Sequence, residues 1–360
     1  MKKIIITVIA LNVVLTMFSA CKNSNNPTSV VNSPISVPTI HVTGWKAIGV
    51  TGFTSSDYGD MQLDVFEGSP YVAFSDVDAA NRVSVIKYEL NDWGLVGLPG
   101  FNGFQADNIK LKMPYIAFRD ISSAQGRVMK YNGSNWENVG AEWFSTGSVF
   151  YICLEIDGGI PYVAFEDNAN SYKATVKKFD GLNWVNVGNP GFSVGRIVYP
   201  ALQVYNGAPY LAFRDVGKDN ELCVMKYNGA DWVYLANTGI SGEFTDSIDI
   251  QIYNGTLYLK CRYYDGDYKT IVKRYDGNQW LSVGSVNTLS NIYGGTLHMP
   301  YISFSNGDFM KFNGSDWQEY DSESLPIPWN SRVSFVFYNS IPFVAYRSLS
   351  ASAVSVMKYE

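Results

Sequence analysis

The chain has 360 residues, 46% of them hydrophobic and 17% charged, with a formal net charge of −6. That balance leaves no basic face for sequence-independent nucleic-acid binding. Two histidines, His41 and His298, are too few for His-rich metal sites or His-based triads. An aromatic share of 15%, with 32 Gly and 14 Pro, favours many short strands joined by turns.

Lys2 and Lys3 precede a mostly apolar stretch from Ile4 to Phe18, followed by Ser19-Ala20-Cys21. This order of basic, apolar and small residues is that of an export signal. Fifteen residues are short for a membrane span of ~20, although an ordinary secretory signal or an uncut anchor remain alternative readings. The run ending at Cys21 resembles the lipobox of bacterial lipoproteins, with Phe18 where that motif usually has Leu. The resemblance implies cleavage after residue 20 and acylation at Cys21, palmitate included. It also implies export to the cell envelope, with the outer membrane favoured in a two-membrane host because Lys22 follows the cysteine rather than Asp. Residues 21–41 are rich in Asn, Ser, Thr, Pro and Val without hydrophobic period and read as a flexible tether. Removing residues 1–20 takes away two lysines and no acid. The globule would then be held by its acyl chains rather than by a basic surface.

From residue 42 the chain repeats itself. Trp45, Trp93, Trp136, Trp184, Trp232, Trp280 and Trp317 recur in a Gly-x-x-Trp-x-x-Val-Gly setting or close to it. A Pro-Tyr-Val-Ala-Phe-x-Asp marker begins at Pro70, Pro114, Pro161 and Pro209, weakens at Leu257, and returns at Pro300 and Pro342. A Val-x-Lys-Tyr marker ends at Tyr88, Tyr131, Phe179, Tyr227, Tyr275, Phe312 and Tyr359. Within one unit, Pro200–Tyr205, Pro209–Phe213, Leu222–Tyr227 and Trp232–Leu235 each read as a strand. Asn206-Gly207 and Asn228-Gly229 supply tight turns.

Four antiparallel strands in about 45 residues, repeated seven times, predict an all-β, seven-bladed β-propeller over 42–360. The last copy stops at Glu360, before its Trp strand, and the first begins with that strand at Gly44-Trp45. The N-terminal strand is therefore expected to complete the last blade and close the ring; an open array would need capping repeats. The sequence resembles a bacterial seven-bladed propeller lipoprotein with Trp- and Tyr-rich repeats. It lacks the Trp-Asp, kelch and sialidase-box signatures. Tectonin-type and fucose-binding propeller lectins also carry aromatics in every blade, a likeness of fold.

The seven tryptophans read as packing between blades, with sugar stacking as the alternative. The repeated acids Asp76, Asp120, Asp167 and Asp215, with Asn306 in the sixth copy, read as turn or ion-pair groups. So do the bases Lys87, Lys130, Lys178, Lys226, Arg274, Lys311 and Lys358. Recognition is expected where symmetry breaks. Arg119, Arg214, Arg262 and Arg347 precede the motif acid position, where other copies have Ser75, Glu166 and Ser305. These arginines are the candidate ligand contacts, with guanidinium chemistry suited to acidic sugars or carboxylates. Asp64, Lys110, Glu155, Gln203 and Gln251 interrupt the apolar first strands and are candidate channel groups. No catalytic residue is assigned, and no pair of carboxylates can be placed at glycosidase spacing from sequence.

Asp76-Val77-Asp78 and Asp265-Gly266-Asp267 lack full calcium-ligand spacing, so no metal is assigned. Cys153, Cys223 and Cys261 sit in strand patterns as small hydrophobes. No phosphate loop, dinucleotide fingerprint or nucleophile elbow is present, and no cofactor is expected. The expectation is a monomeric, membrane-tethered module that binds a glycan or an envelope protein. A propeller glycoside hydrolase or polysaccharide lyase, and a structural part of an envelope assembly, are the alternatives.

Overall fold

The structure, a computed structural model, describes residues 44–53, 56–240, 245–264, 266–284, 295–304, 308–320, 333–348 and 353–360. Residues 1–43 fall outside these, and with them the expected signal, Cys21, the tether and His41. So do Asp265, Ser305 and Asn306.

Residues 42–360 form one compact unit. Seven four-stranded antiparallel sheets follow one another as blades 1 to 7 at 56–95, 106–138, 149–186, 197–234, 246–282, 297–319 and 333–359. The seventh receives its outer strand, Trp45–Ala47, from the N-terminal end of the unit. Trp45 pairs with Tyr359 and Ala47 with Met357, while Gly44 and Glu360 exchange backbone hydrogen bonds of 2.8 and 3.1 Å. The expected ring closure is present.

Blade 4 shows why the sequence folds this way. Its strands are Ile197–Tyr205, Ala208–Asp215, Glu221–Tyr227 and Trp232–Tyr234. The second strand is apolar on both faces because both sides are covered by neighbouring blades; Leu211, Ala212 and Phe213 are buried. The last hairpin turns at Gly229, whose φ of 102° suits glycine. In that turn the Asn228 side chain accepts from the backbone of Ala230 and Asp231 at 2.9 Å.

The core lies in seams between blades rather than inside them. Tyr71, Val83 and Val85 of blade 1 pack with Ile109, Ile116, Phe118 and Trp136 of blade 2. Similar clusters fill the other junctions. Among the described residues, the blade 6–7 seam has Tyr301, Phe309 and Phe337 as its buried set, with Trp45 and Tyr359 packed beside it.

Six of the repeat tryptophans also donate across a seam to a backbone carbonyl. Trp93, Trp136, Trp184, Trp232, Trp280 and Trp317 reach Ile48, Val96, Val139, Val187, Leu235 and Val283 at 2.7–3.0 Å. Trp45 packs edge-on against Phe309, Phe335 and Tyr359. These contacts make the tryptophans blade-to-blade fasteners, with both an apolar body and an N–H in use.

Candidate functional site

Two regions bring unlike residues together: the channel along the ring axis, and the face where first strands begin and second strands end.

The channel holds a cavity of about 460 Å³ lined by first-strand residues, among them Gln62, Asp64, Lys110, Glu155, Gln203 and His298. Much of this polar lining is engaged by the next blade. Asp64 accepts from Met113 N at 2.7 Å, Gln203 from Ile252 N at 3.4 Å and Gln251 from Met299 N at 2.6 Å. Asp249 accepts from Leu297 N at 2.8 Å, and Ser334 Oγ from Leu63 N at 3.0 Å. Lys112 pairs with Glu155 at 3.1 Å. Burial pushes the carboxyls of Asp64 and Asp249 up, and it pulls the His298 imidazole down to about 4. His298 is thus neutral at pH 7, stacked on Phe337 with ring centroids 4.8 Å apart. The channel wall is mainly a set of clamps that satisfy inner-strand backbone N–H groups.

The second region is built by β-bulges. In blades 2 to 5 the first strand slips one residue against the second, between Asp107/Lys110, Phe150/Cys153, Val198/Ala201 and Asp246/Asp249. A bulge leaves one residue unpaired and re-aims its side chain. Here that residue has positive φ: Asn108, Tyr151, Tyr199 and Ser247 at 49–54°. Asparagine tolerates this region, whereas a tyrosine there costs ~1–3 kcal/mol. Blades 3 and 4 both carry that cost, and their two rings meet edge-on at 5.4 Å.

Around the tyrosine pair lie Glu166, Arg196 and Arg214, all close enough to act on the Tyr151 hydroxyl electrostatically. Arg214 lies over the Tyr199 ring at 5.6 Å, and Arg196 over Tyr172 at 5.5 Å. Tyr199 is 39% exposed and the Arg196 side chain 52%, so the cluster opens to solvent. Burial, then Tyr199 and Glu166, push the Tyr151 hydroxyl above its ordinary value, which keeps it a hydrogen-bond donor at neutral pH.

The four arginines singled out by sequence separate into different settings. Arg119 Nε donates to Asp107 Oδ1 at 2.7 Å, and its Nη2 pairs with Asp107 Oδ2. Arg262, 2% exposed, makes the same double contact with Asp246, Nε to Oδ1 at 2.8 Å. In both, carboxylate and guanidinium face each other across one blade at the bulge. Arg347 is buried in blade 7. Arg214 alone of the four borders the open tyrosine cluster.

Tyr151, Tyr199 and Arg196 were not distinguishable in the sequence. Their signal is a bulge position filled by tyrosine in two blades and by Asn108 or Ser247 in two others, which becomes visible only with the strand register.

The repeated groups have local partners. Asp76 accepts from Asp78 N at 3.1 Å and Ser84 Oγ at 2.6 Å. Asp167 accepts from Ala169 N at 3.1 Å and Thr175 Oγ1 at 2.8 Å, and Asp215 holds Gly195 N and Gly217 N at 2.9 Å. Lys87, Lys130, Lys226 and Lys311 lie over Tyr71, Tyr115, Tyr210 and Tyr301 at 5.1–5.7 Å. Burial pushes the thiols of Cys153, Cys223 and Cys261 up to about 12, which leaves them inert as nucleophiles at neutral pH.

No family model matches the sequence, and no curated protein matches it. Solved structures do match in fold. An ulvan lyase of polysaccharide lyase family PL25, bound to -[GlcA(1-4)Rha3S]-, is 12% identical with a TM-score of 0.54 over 86% of this chain and 94% of its own. Polysaccharide lyase Uly1 is 10% identical with a TM-score of 0.55, over 87% of this chain and 92% of its own. YCF48 from Cyanidioschyzon merolae is 11% identical with a TM-score of 0.52, over 88% and 98%. Together with the sheet topology, these likenesses make the chain an all-β protein of seven four-stranded blades, a seven-bladed β-propeller.

Proposed function

We propose that the protein is a binding module for acidic glycan, and that the bulge face of blades 3 and 4 is its site. The observation that carries this reading is the convergence of Tyr151 and Tyr199, each on a strained bulge, with Arg196 and Arg214 at an open surface. Tyrosine offers a sugar both a flat apolar face and a hydroxyl. Arginine offers a carboxylate or sulfate a planar fork of donors. Two of the solved structures of similar fold are polysaccharide lyases, one of them with a ligand that contains GlcA, a uronic acid. That likeness adds support for an acidic polysaccharide. We further propose that Cys21 tethers the module to the cell envelope through acyl chains, on the strength of the lipobox-like run that precedes it.

Elimination from a bound uronate is the second reading, favoured by those two lyases. It needs a base for the sugar C–H, and the upward push on the Tyr151 hydroxyl opposes phenolate formation there. Binding is therefore placed first.

The test pairs Arg214→Ala with Tyr199→Phe, measured by calorimetric titration with ulvan and polygalacturonate and by thermal unfolding. Loss of a charge-assisted hydrogen bond predicts about tenfold weaker binding for Arg214→Ala. Unfolding should move little in either variant. Wild-type affinity for both polymers in both variants would remove the site from this face. Growth of an unsaturated-uronate absorbance in the wild type would move the reading to elimination. Fatty-acid labelling of cells should mark the wild type and be abolished in Cys21→Ala; label retained there would end the anchor proposal.

A further inference from the structure

Glu166 reverses the charge that blades 2, 4, 5 and 7 place at the same register position, where Arg119, Arg214, Arg262 and Arg347 stand. Its side chain is 0% exposed, and neither carboxylate oxygen accepts a well-aligned hydrogen bond. The charge nearest to it is Arg196, whose Nε lies 3.3 Å from Glu166 Oε1 while the guanidinium is half in water. The contrast with the arginine blades is in how the pair is made. Asp107 and Asp246 each hold an arginine by two nitrogens, Nε and Nη2. Glu166 holds Arg196 by one loose contact, which leaves most of the donor fork facing outward. A buried carboxylate with so little hydrogen bonding is costly, and such a group is rarely retained without a role.

We infer that Glu166 is an internal competitor for the ligand's anionic group, holding Arg196 until an anion displaces it or Glu166 is protonated. This rests on the anionic-ligand reading of the bulge face and deepens it to regulation of that site. With Glu166 ionised, Arg196 is largely neutralised and attracts a ligand carboxylate or sulfate weakly. With Glu166 neutral, the charge of Arg196 is released outward. The groups facing Glu166 are Arg196, from the chain entering blade 4, and Tyr151, which has Tyr199 and Arg214 beside it. His298 lies in the channel, not in this cluster. Burial pushes the Glu166 carboxyl up from its ordinary value, and Arg196 offsets only part of that push. Affinity for an anion should therefore rise as pH falls through the raised Glu166 value, and anion binding should in turn favour the protonated form.

The experiment compares wild type, Glu166→Gln and Arg196→Ala. Inorganic sulfate is followed by thermal shift and polygalacturonate by titration, both from pH 7.5 down to 4.5. Removing one negative charge a few ångströms from the anion predicts about threefold to tenfold tighter binding of both probes by Glu166→Gln at pH 7.5. The wild type should gain affinity as pH falls from 7.5 to 4.5, Glu166→Gln should not, and Arg196→Ala should lose the anion response altogether. Equal or weaker sulfate binding by Glu166→Gln would overturn the inference and make Glu166 a positioning residue for Arg196. A wild type whose affinity is the same throughout that range would overturn it without any variant. If sulfate separates the proteins as expected while polygalacturonate binds none of them, the glycan reading fails and the competitor role stands.

Discussion

Lys260 shows what a single residue can cost a blade. Blades 1 to 4 and 7 place alanine at its register position, as Ala73, Ala117, Ala164, Ala212 and Ala345. Lys260 is fully buried there, faces Asp249 across the strand pair, and donates to Gly295 O, just ahead of blade 6, at 2.7 Å. Burial pulls its ammonium down to about 8 against an ordinary 10.5, with Asp249 opposing the shift. Between those values the unfolded chain binds a proton that the folded chain has released, so for this group stability rises with pH from about 8 upward. Below pH 8 the burial penalty is fully present. Lys260→Ala alone should cost ~1–3 kcal/mol, because Asp249, half-buried on the channel wall, then loses the cation that faces it. The double change Lys260→Ala, Asp249→Ala recreates the Ala201–Ala212 pair of blade 4 and should return part of that loss. Urea unfolding of the three proteins at pH 7.5 and 9.5 measures both effects. A double variant no more stable than the single one would show that the two side chains do not act as a pair.

At the scale of the strand, the outer strands are fastened by indole N–H groups, and the fastening can be separated from the packing. Trp136 is buried and donates to Val96 O at 2.8 Å across the blade 1–2 seam. Trp136→Phe keeps most of the apolar contact but leaves that carbonyl without its donor, which should cost ~1–3 kcal/mol in denaturant unfolding. A cost near zero would mean that water or a backbone shift replaces the bond. The strands themselves were legible in the sequence because their signals are local: alternation, a continuous apolar run, and Asn-Gly turns. The blade 4 strands lie within a few residues of the expected bounds. Asp64, Gln203 and Gln251 were legible as polar interruptions, but their partners are backbone N–H groups of the next blade, which no single strand reveals. The bulges were not legible at all. A bulge is a mismatch between two strands, and Tyr151 and Tyr199 look like ordinary strand tyrosines until the second strand is laid beside the first. The proposed site was therefore read through Arg214, the one of its arginines that stands in a repeated marker, and missed at its centre.

For the molecule as a whole, the ring is closed by its thinnest material. The strand Trp45–Ala47 completes blade 7, and the residues beside it plug two seams at once. Trp45 packs toward blade 6 through Phe309, at a ring distance of 5.6 Å. Ile48 is buried in the blade 7–1 cluster, and its carbonyl accepts from Trp93 Nε1 at 3.0 Å. Among the described residues, the first two strands of the neighbouring blade 6 are Leu297–His298 and Tyr301–Ser303. A ring of near-equal seams opens where burial and pairing are least, because local opening follows the local free energy. The three-residue closing strand Trp45–Ala47 should thus exchange its amide hydrogens before the second and third strands of blades 1 to 4 in the native state. Trp45 is only half-buried, so Trp45→Ala should cost less than the ~3–5 kcal/mol expected for a buried tryptophan such as Trp136. A chain beginning at Gly52 loses Trp45 and Ile48 together and exposes both edges of the junction. It should melt well below the complete propeller, with fast exchange spreading from blade 7 into blades 6 and 1. The same melting temperature as the complete chain, or exchange that begins in blades 2 and 3, would mean that the seams hold the ring closed without the N-terminal strand.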